Sequence, residues 1–170
     1  MKRVTIALCI LALAVVLGGL WNWAEAKGDE VAQIKAVEEK IAADAKARNL
    51  DAIMKNYPPG NTLVVFDLAP PREYQGYDAF RKDWQNFLDM FSGPITYDLV
   101  DLNVVADHKL GYARMIQHVA GTGKDGKPID LNVRVTDVLQ KTNGRWLIIH
   151  EHASVPVDLA TGKGDLLSKP

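Results

Sequence analysis

The sequence predicts a single α+β domain, a cone in which a curved antiparallel sheet wraps around N-terminal helices. Helical periodicity is confined to the first half of the chain, and four long strand patterns follow it without an intervening helix. The chain has 170 residues, of which 48% are hydrophobic, so it is long enough for one substantial core. Helices first and a run of strands afterwards are typical of segregated α+β folds.

The N-terminal segment 1–26 predicts a secretory signal peptide. A short basic start precedes an uncharged apolar run, and the small residues at 24–26 fit cleavage after Ala26. Trp21 and Trp23 could instead sit at a membrane interface, so an N-terminal membrane anchor is the alternative. We therefore expect a secreted or periplasmic protein that has no contact with a membrane after signal cleavage.

Charge and cysteine content exclude several classes of function. The net charge is −1, from 20 basic and 21 acidic residues, which does not indicate a nucleic-acid partner. The only cysteine, Cys9, lies within the predicted signal peptide, so the mature chain would have no disulfide and no thiol nucleophile. No glycine-rich phosphate loop is present, and we expect no cofactor.

The domain is expected to cover residues 27–158, beginning with two helices over 28–50 and 51–57. A Pro-Pro-Gly sequence stops the second helix, and a short strand over 61–68 and a loop over 69–76 follow. The next helix carries an apolar stripe at steps of three and four residues, formed by Phe80, Trp84, Phe87, Leu88 and Phe91.

The second half predicts a meander of four antiparallel strands. Short turn sequences separate strands expected at 95–107, 110–121, 129–141 and 145–154. Residues 159–170 have no periodic pattern and are expected to form a flexible tail.

The turn at Asn143–Gly144 fixes a register for the last hairpin. If these two residues form the loop, Asp137 lies directly opposite His150. Strict alternation then places both side chains, together with His152 and Trp146, on the apolar inner face of the sheet.

The predicted contact between Asp137 and His150 is the candidate catalytic pair. A carboxylate beside an imidazole fixes its tautomer and raises its basicity, as a general base requires. The same contact would satisfy a buried structural histidine, so structural packing, ligand contact and catalysis all stay open for His150 and His152. No third ligand accompanies the two histidines, so no metal site is expected. Glu151 is expected to face outward.

Further residues are candidates for ligand binding, alongside His152 and Trp146. Arg114 alternates with apolar residues on its strand, and a buried arginine needs an acid such as Asp137 or an anionic ligand as a partner. Tyr112 and Tyr57 could line the mouth of a pocket. Asp67 ends the first strand, where the pocket rim is expected.

Four stretches carry a resemblance to a known superfamily: YPPGNTLVVFD, GYDAFRKDWQNF, GYARMIQHV and TNGRWLIIHEHASVP. Over residues 29–157 the chain resembles the nuclear transport factor 2-like superfamily, which includes SnoaL-like and ketosteroid isomerase-like proteins. It resembles in particular the association domain of calcium/calmodulin-dependent kinase II.

This resemblance implies a cone with a pocket and a homodimer formed through the sheet. The pocket arginine of the association domain maps to Arg114. Its second arginine maps to Asp137 and its helix histidine to Phe80, so this pocket is expected to be less cationic. The base and oxyanion donor of the isomerases have no counterparts that can be placed here.

Together these observations favour an exported domain that binds a small molecule. Its apolar pocket would have a polar end built from Arg114, Asp137, His150 and His152. One alternative is a cofactor-independent isomerase, cyclase or dehydratase that uses the pair of Asp137 and His150. The other is a non-catalytic oligomerisation module like the association domain.

Overall fold

A computed structural model describes residues 29–168, and the predicted signal peptide at 1–26 lies outside the described residues. Helix α1 covers residues 29–46, and it is followed by α2 (Leu50–Met54) and α3 (Tyr77–Asp89). The strands are β1 (Val64–Phe66), β2 (Tyr74–Gln75), β3 (Phe91–Ala106), β4 (Leu110–Gly123), β5 (Pro128–Thr142) and β6 (Arg145–Ser154). No helix within residues 29–168 combines the length and the hydropathy needed to span a bilayer.

The six strands form one sheet in the order β2-β1-β6-β5-β4-β3. The predicted antiparallel meander of β3 to β6 is confirmed. The sheet as a whole is mixed, however, because β1 pairs with β6 in parallel. This pairing brings the end of the first strand next to the last one, so Asp67 follows β1 directly beside the end of β6.

The core lies between the helices and the concave face of the sheet. Ile34 and Ile41 on α1 are buried together with Phe80, Trp84 and other residues of the predicted stripe on α3. Gly111 on β4 allows the close approach of α1, because a Cβ there would lie 2.5 Å from Cδ1 of Ile34.

The turn at Asn143–Gly144 is confirmed. The two residues have φ values of 50° and 78°, the left-handed conformation that a two-residue hairpin turn of this kind requires. Thr142 pairs with Arg145, as the sequence predicts.

The predicted register does not continue along the hairpin, because β6 contains a bulge. Leu139 pairs with Ile148 as expected, but the next pair is Val138 with His150. Ile149 is therefore an extra residue on β6. Since side chains alternate between the two faces, one extra residue inverts the orientation of everything that follows it.

Beyond the bulge, Asp137 pairs with Glu151 and Thr136 pairs with His152. The predicted pairing of Asp137 with His150 is wrong, and so is the outward orientation of Glu151. The concave face receives the carboxyl group of Glu151, and the convex face receives both imidazoles.

The segment after β6 folds back over the end of the sheet. Val157 forms an isolated bridge with Gly164, and the backbone N–H of Asn132 donates to the Leu166 carbonyl at 2.7 Å. The last part of the chain, treated as a flexible tail from its sequence, thus places Leu166 against the body of the domain.

Candidate functional site

A cavity of about 540 Å³ lies between α3, the concave face of the sheet and the folded-back C-terminal segment. Its walls are mainly apolar and aromatic. The aromatic wall residues are Tyr74, Phe80, Trp84, Phe87, Phe91 and Tyr97, and the aliphatic ones include Val119, Ile129, Leu131, Val133 and Leu166.

Glu151 provides a carboxyl group in this apolar wall. The phenol of Tyr57 donates a hydrogen bond to its Oε2 at 2.9 Å, which fixes the orientation of the carboxyl group. Burial raises the pKa of Glu151 well above its usual range, and the negative field of Asp137 adds to this effect. The raised pKa favours the protonated form of Glu151, which is able to donate as well as to accept a hydrogen bond.

Two further acids lie behind Glu151, in the core. Glu38 on α1 and Asp137 on β5 are each only 2% exposed. Burial raises the pKa of Glu38 to about 8, and burial together with the field of Glu38 raises the pKa of Asp137 well above its usual range. Each of the two acids also keeps one buried oxygen that has no hydrogen-bond partner among the described residues, Oε1 of Glu38 and Oδ1 of Asp137.

Asp67 and Asp83 form a second acidic pair in the cavity wall. Burial raises the pKa of Asp83 to about 6, the neighbouring phenol of Tyr74 opposes this shift, and the charge of Asp67 adds to it. Burial also raises the pKa of Asp67. Asp83 therefore changes its protonation state close to physiological pH.

Among residues 29–168, those that line the cavity include no lysine, arginine or histidine. The polar character of its described wall thus comes from carboxyl groups, with Asn86, Gln117 and two tyrosines as the neutral polar members. An anionic ligand would find no positive partner there.

The two histidines of the predicted site lie on the convex face. A ring N–H of His150, at Nδ1, donates to the Val64 carbonyl at 2.8 Å, and both imidazoles pack edge-on against Phe66. His152 is exposed. The proposed catalytic pair of Asp137 and His150 is therefore wrong, because the bulge at Ile149 places the two side chains on opposite faces.

Arg114 and Tyr112 also lie on the convex face, and their placement in a pocket is wrong. Both are exposed, and Tyr112 is 40% exposed. The inward residues of β4 are their neighbours Ala113 and Met115, which are buried. The sequence pattern around Arg114 has apolar residues in both phases, so alternation alone did not distinguish the two faces.

The other three candidates have different positions. Asp67 lies in the cavity wall, and Tyr57 is buried and contacts Glu151. Trp146 is buried outside the cavity wall, and its indole N–H donates to Oε2 of Glu30 at 2.9 Å.

Sequence reasoning missed Glu38, Asp83 and the inward orientation of Glu151. Glu38 occurs in a charged stretch of a helix that reads as solvent-exposed, although its spacing from Ile34 and Ile41 places it on the buried face. Asp83 precedes Trp84 of the aromatic stripe and gives no separate signal. In the described part of the chain, no group of three or more histidines, cysteines or acids is arranged to hold a metal ion.

Comparison with solved structures identifies the fold. An NTF2-like protein of unknown function from Pseudomonas putida is 24% identical and superposes with a TM-score of 0.75, covering 84% of this chain and 98% of that one. An association domain of the calcium/calmodulin-dependent protein kinase II type from Xanthomonas campestris is 21% identical, with a TM-score of 0.61 and coverages of 71% and 84%.

A ketosteroid isomerase-like protein from Erwinia carotovora atroseptica is 16% identical, with a TM-score of 0.62 and coverages of 74% and 95%. At these identities the structural likeness establishes the fold alone. None of the curated proteins compared with the chain matches it significantly. The family model of the SnoaL-like domain matches residues 34–158, which is most of the chain. The chain therefore belongs to the SnoaL-like family and has the NTF2-like fold that its sequence predicts.

Proposed function

We propose that this protein binds a small, mostly apolar molecule in the cavity, with the polar group of that molecule at Glu151. One observation carries the proposal: an aromatic-walled cavity of about 540 Å³ contains a carboxyl group that Tyr57 holds in a fixed orientation. Ligand sites usually combine an apolar wall of this size with a few oriented polar groups.

A cavity-filling variant tests this proposal. Ala153 is buried and lines the cavity, so Ala153→Leu should occupy part of the space without adding charge. We expect isothermal titration with 2-naphthol, a neutral two-ring compound, to show saturable binding to the native protein and at least tenfold weaker binding to the variant. Equal affinity for both proteins would place the compound elsewhere and contradict the proposal.

Acid–base catalysis is the second candidate function, now with different residues. The observation in its favour is Asp83, a cavity-wall carboxyl with a pKa raised to about 6, next to a second carboxyl at Asp67. A general acid or base is most effective when its pKa lies near the working pH. A cofactor-independent isomerase, cyclase or dehydratase would use these groups to move a proton on a bound substrate.

Proton exchange provides a direct assay. If the site abstracts protons next to a carbonyl group, the protein should accelerate deuterium incorporation into 2-tetralone in D₂O, as followed by NMR. We expect Asp83→Asn to remove the acceleration and the exposed-site variant Asp101→Asn to retain it. Exchange at the uncatalysed rate with native protein would exclude this activity for simple ketones.

Export and assembly are also part of the proposal. We propose that the convex face forms a homodimer, because Val105 and Tyr112 are exposed there and pair across β3 and β4, with Leu110 exposed nearby. Light scattering of native protein and of Tyr112→Glu would show a dimer and a monomer, respectively. A larger ring would favour the oligomerisation module instead.

Sequencing of the mature N-terminus would show whether cleavage occurs after Ala26.

A further inference from the structure

We propose that the ligand of the cavity is an organic cation: a protonated amine on an apolar body that also carries a hydrogen-bond acceptor. This inference rests on the proposed function, because it assigns a chemical class to the molecule bound at Glu151. It follows from the carboxyl groups of the wall, from the aromatic rings around them and from one buried donor without a partner.

The carboxyl groups come from three different elements and converge on one cavity. Glu151 lies on β6, Asp83 on α3 and Asp67 directly after β1, and all three line the wall. Asp137 lies across the strand pair from Glu151 and adds to the negative field. A cation entering the cavity gains these partners and meets no basic side chain among the lining residues.

Aromatic rings are the second feature that suits a cation. Trp84 packs against Phe87 and Tyr97, with ring centroids 5.5 and 6.1 Å apart, and all three residues line the cavity. The negative faces of aromatic rings attract ammonium groups, and tryptophan does so most strongly. A wall of this composition stabilises an amine more than it stabilises a neutral molecule of the same shape.

The third feature is the indole N–H of Trp84. Trp84 is only 6% exposed and lines the cavity, yet its Nε1 has no hydrogen-bond partner among the described residues. Buried donors are nearly always paired, and because this N–H has almost no accessible surface, an acceptor on the ligand reaches it only with a small shift of the ring. This observation is independent of the acids, and it indicates an oxygen or nitrogen acceptor within the apolar body of the ligand.

Binding of a cation should also change the protonation of the carboxyl groups in the wall. Burial raises the pKa of Glu151 well above its usual range and raises that of Asp83 to about 6. The titratable groups that interact electrostatically with Glu151 are Tyr57, Tyr97, Glu38, Asp137, Asp67 and Asp83. All of them are acids or phenols, so a bound cation favours ionisation of the carboxyls and must release protons to solvent.

A series on one skeleton separates the charge of a ligand from its shape. The compounds are 4-phenoxybutylamine, 4-phenoxybutan-1-ol and 4-phenoxybutanoic acid, titrated calorimetrically into the full-length protein at pH 7. We expect the amine to bind at least about tenfold more tightly than the alcohol and the acid to bind most weakly. Titration of the amine in two buffers of different ionisation enthalpy should show proton release.

Variants of the cavity wall test whether the preference for the amine depends on its carboxyl groups. Glu151→Gln keeps the shape and the acceptor for Tyr57 but cannot become negative, so the amine should lose its advantage while the affinity for the alcohol changes little. Asp83→Asn provides a second test if Glu151→Gln does not fold. Asp101→Asn is the control, because Asp101 is an exposed acid outside the cavity.

The outcomes distinguish the inference from the proposed function. If the alcohol binds as tightly as the amine, or the amine binds without proton release, the cationic class is wrong and small-molecule binding still stands. If no compound of the series, including 5-phenylpentylamine without the ether oxygen, binds at about 10 mM, both fail. A weaker affinity for 5-phenylpentylamine than for 4-phenoxybutylamine would support the role of Trp84 as a donor.

Discussion

The two faces of the sheet carry opposite chemistry. The concave face presents Asp137 and Glu151 to the cavity side, and Glu38 joins them from α1. The convex face presents the imidazoles of His150 and His152, which pack on Phe66 outside the cavity. Acids are therefore buried and concentrated on one side of the sheet, whereas the histidines of the same strand lie on the other.

A single residue produces this separation. Without Ile149, the alternation of β6 would bring both imidazoles to the concave face beside Asp137, as the turn register predicts. Because Ile149 forms a bulge, the inner face at the end of β6 carries the carboxyl group of Glu151 instead of the two imidazoles. The comparison teaches that the chemistry of this cavity depends on strand register as much as on the identity of its residues.

Deletion of Ile149 should have the largest effect on the comparison. Without the bulge, the end of β6 has two alternatives. Either its side chains change faces, which moves Glu151 outward and the two histidines inward, or the segment loses its pairing with β1 and β5. We expect the free energy of unfolding to fall by more than about 3 kcal/mol, with loss of cavity binding. Chemical denaturation measures this change.

Ile149→Ala is the matched control for the deletion. It shortens the side chain but keeps the number of residues in β6, so the register and cavity binding should survive. If the deletion were tolerated as well as the alanine variant, the bulge would not determine the register. Ile149 would then not be the reason why acids and histidines lie on opposite faces.

The buried acid Glu38 should make the protein less stable as the pH rises. Its pKa in the folded state is raised from 4.5 to about 8, so the folded protein holds a proton that the unfolded chain has lost. The free energy of unfolding therefore falls as the pH increases from about 4.5 to about 8. Glu38→Gln cannot ionise and should reduce this fall by several kcal/mol, at most about 5 kcal/mol.

The control for this variant is the neighbouring residue. Glu39→Gln removes a carboxylate from the exposed face of the same helix and should leave the pH dependence of stability unchanged. Denaturation curves of the three proteins at pH 5 and pH 8.5 provide the measurement. A stability difference between these pH values that is identical in native protein and Glu38→Gln would show that Glu38 does not carry the buried proton.

The sequence predicts the fold far better than it predicts the site. Periodicity, the aromatic stripe of α3 and the turn at Asn143–Gly144 depend on local preferences, and the structure agrees with them. The position of a bulge depends on how β6 must meet β1 on one side and β5 on the other. That is a tertiary requirement, and it has no signature in the run of apolar residues before His150.

The same limit explains why the sequence pattern predicts the wrong faces for Arg114 and Glu151. On β4, apolar residues occupy both alternating positions around Arg114, so the pattern fits either orientation. Glu151 looks solvent-exposed by residue type, because buried acids are rare in the absence of a partner. Its partner is Tyr57, which is 94 residues away and becomes a neighbour only in the folded chain.

Tyr57→Phe should have a moderate effect. The variant removes the hydrogen bond to Glu151, at a cost of about 1–2 kcal/mol of stability. That bond lowers the pKa of Glu151, so its loss should raise the pKa further and increase the cost as the pH rises. Denaturation at pH 5 and pH 8.5 tests this expectation. Tyr112→Phe on the convex face is the matched control, and an equal loss in both variants would contradict it.

The smallest effects are expected on the convex face. Arg114→Ala and His152→Ala remove exposed side chains that lie outside the cavity wall, so each should change the affinity for 2-naphthol or 4-phenoxybutylamine by less than about twofold. If Arg114 instead formed the polar end of the pocket, its removal would weaken binding of 4-phenoxybutanoic acid in particular. Calorimetric titration of both variants thus tests directly which face of the sheet meets the ligand: a tenfold loss for the acid would assign that role to the convex face.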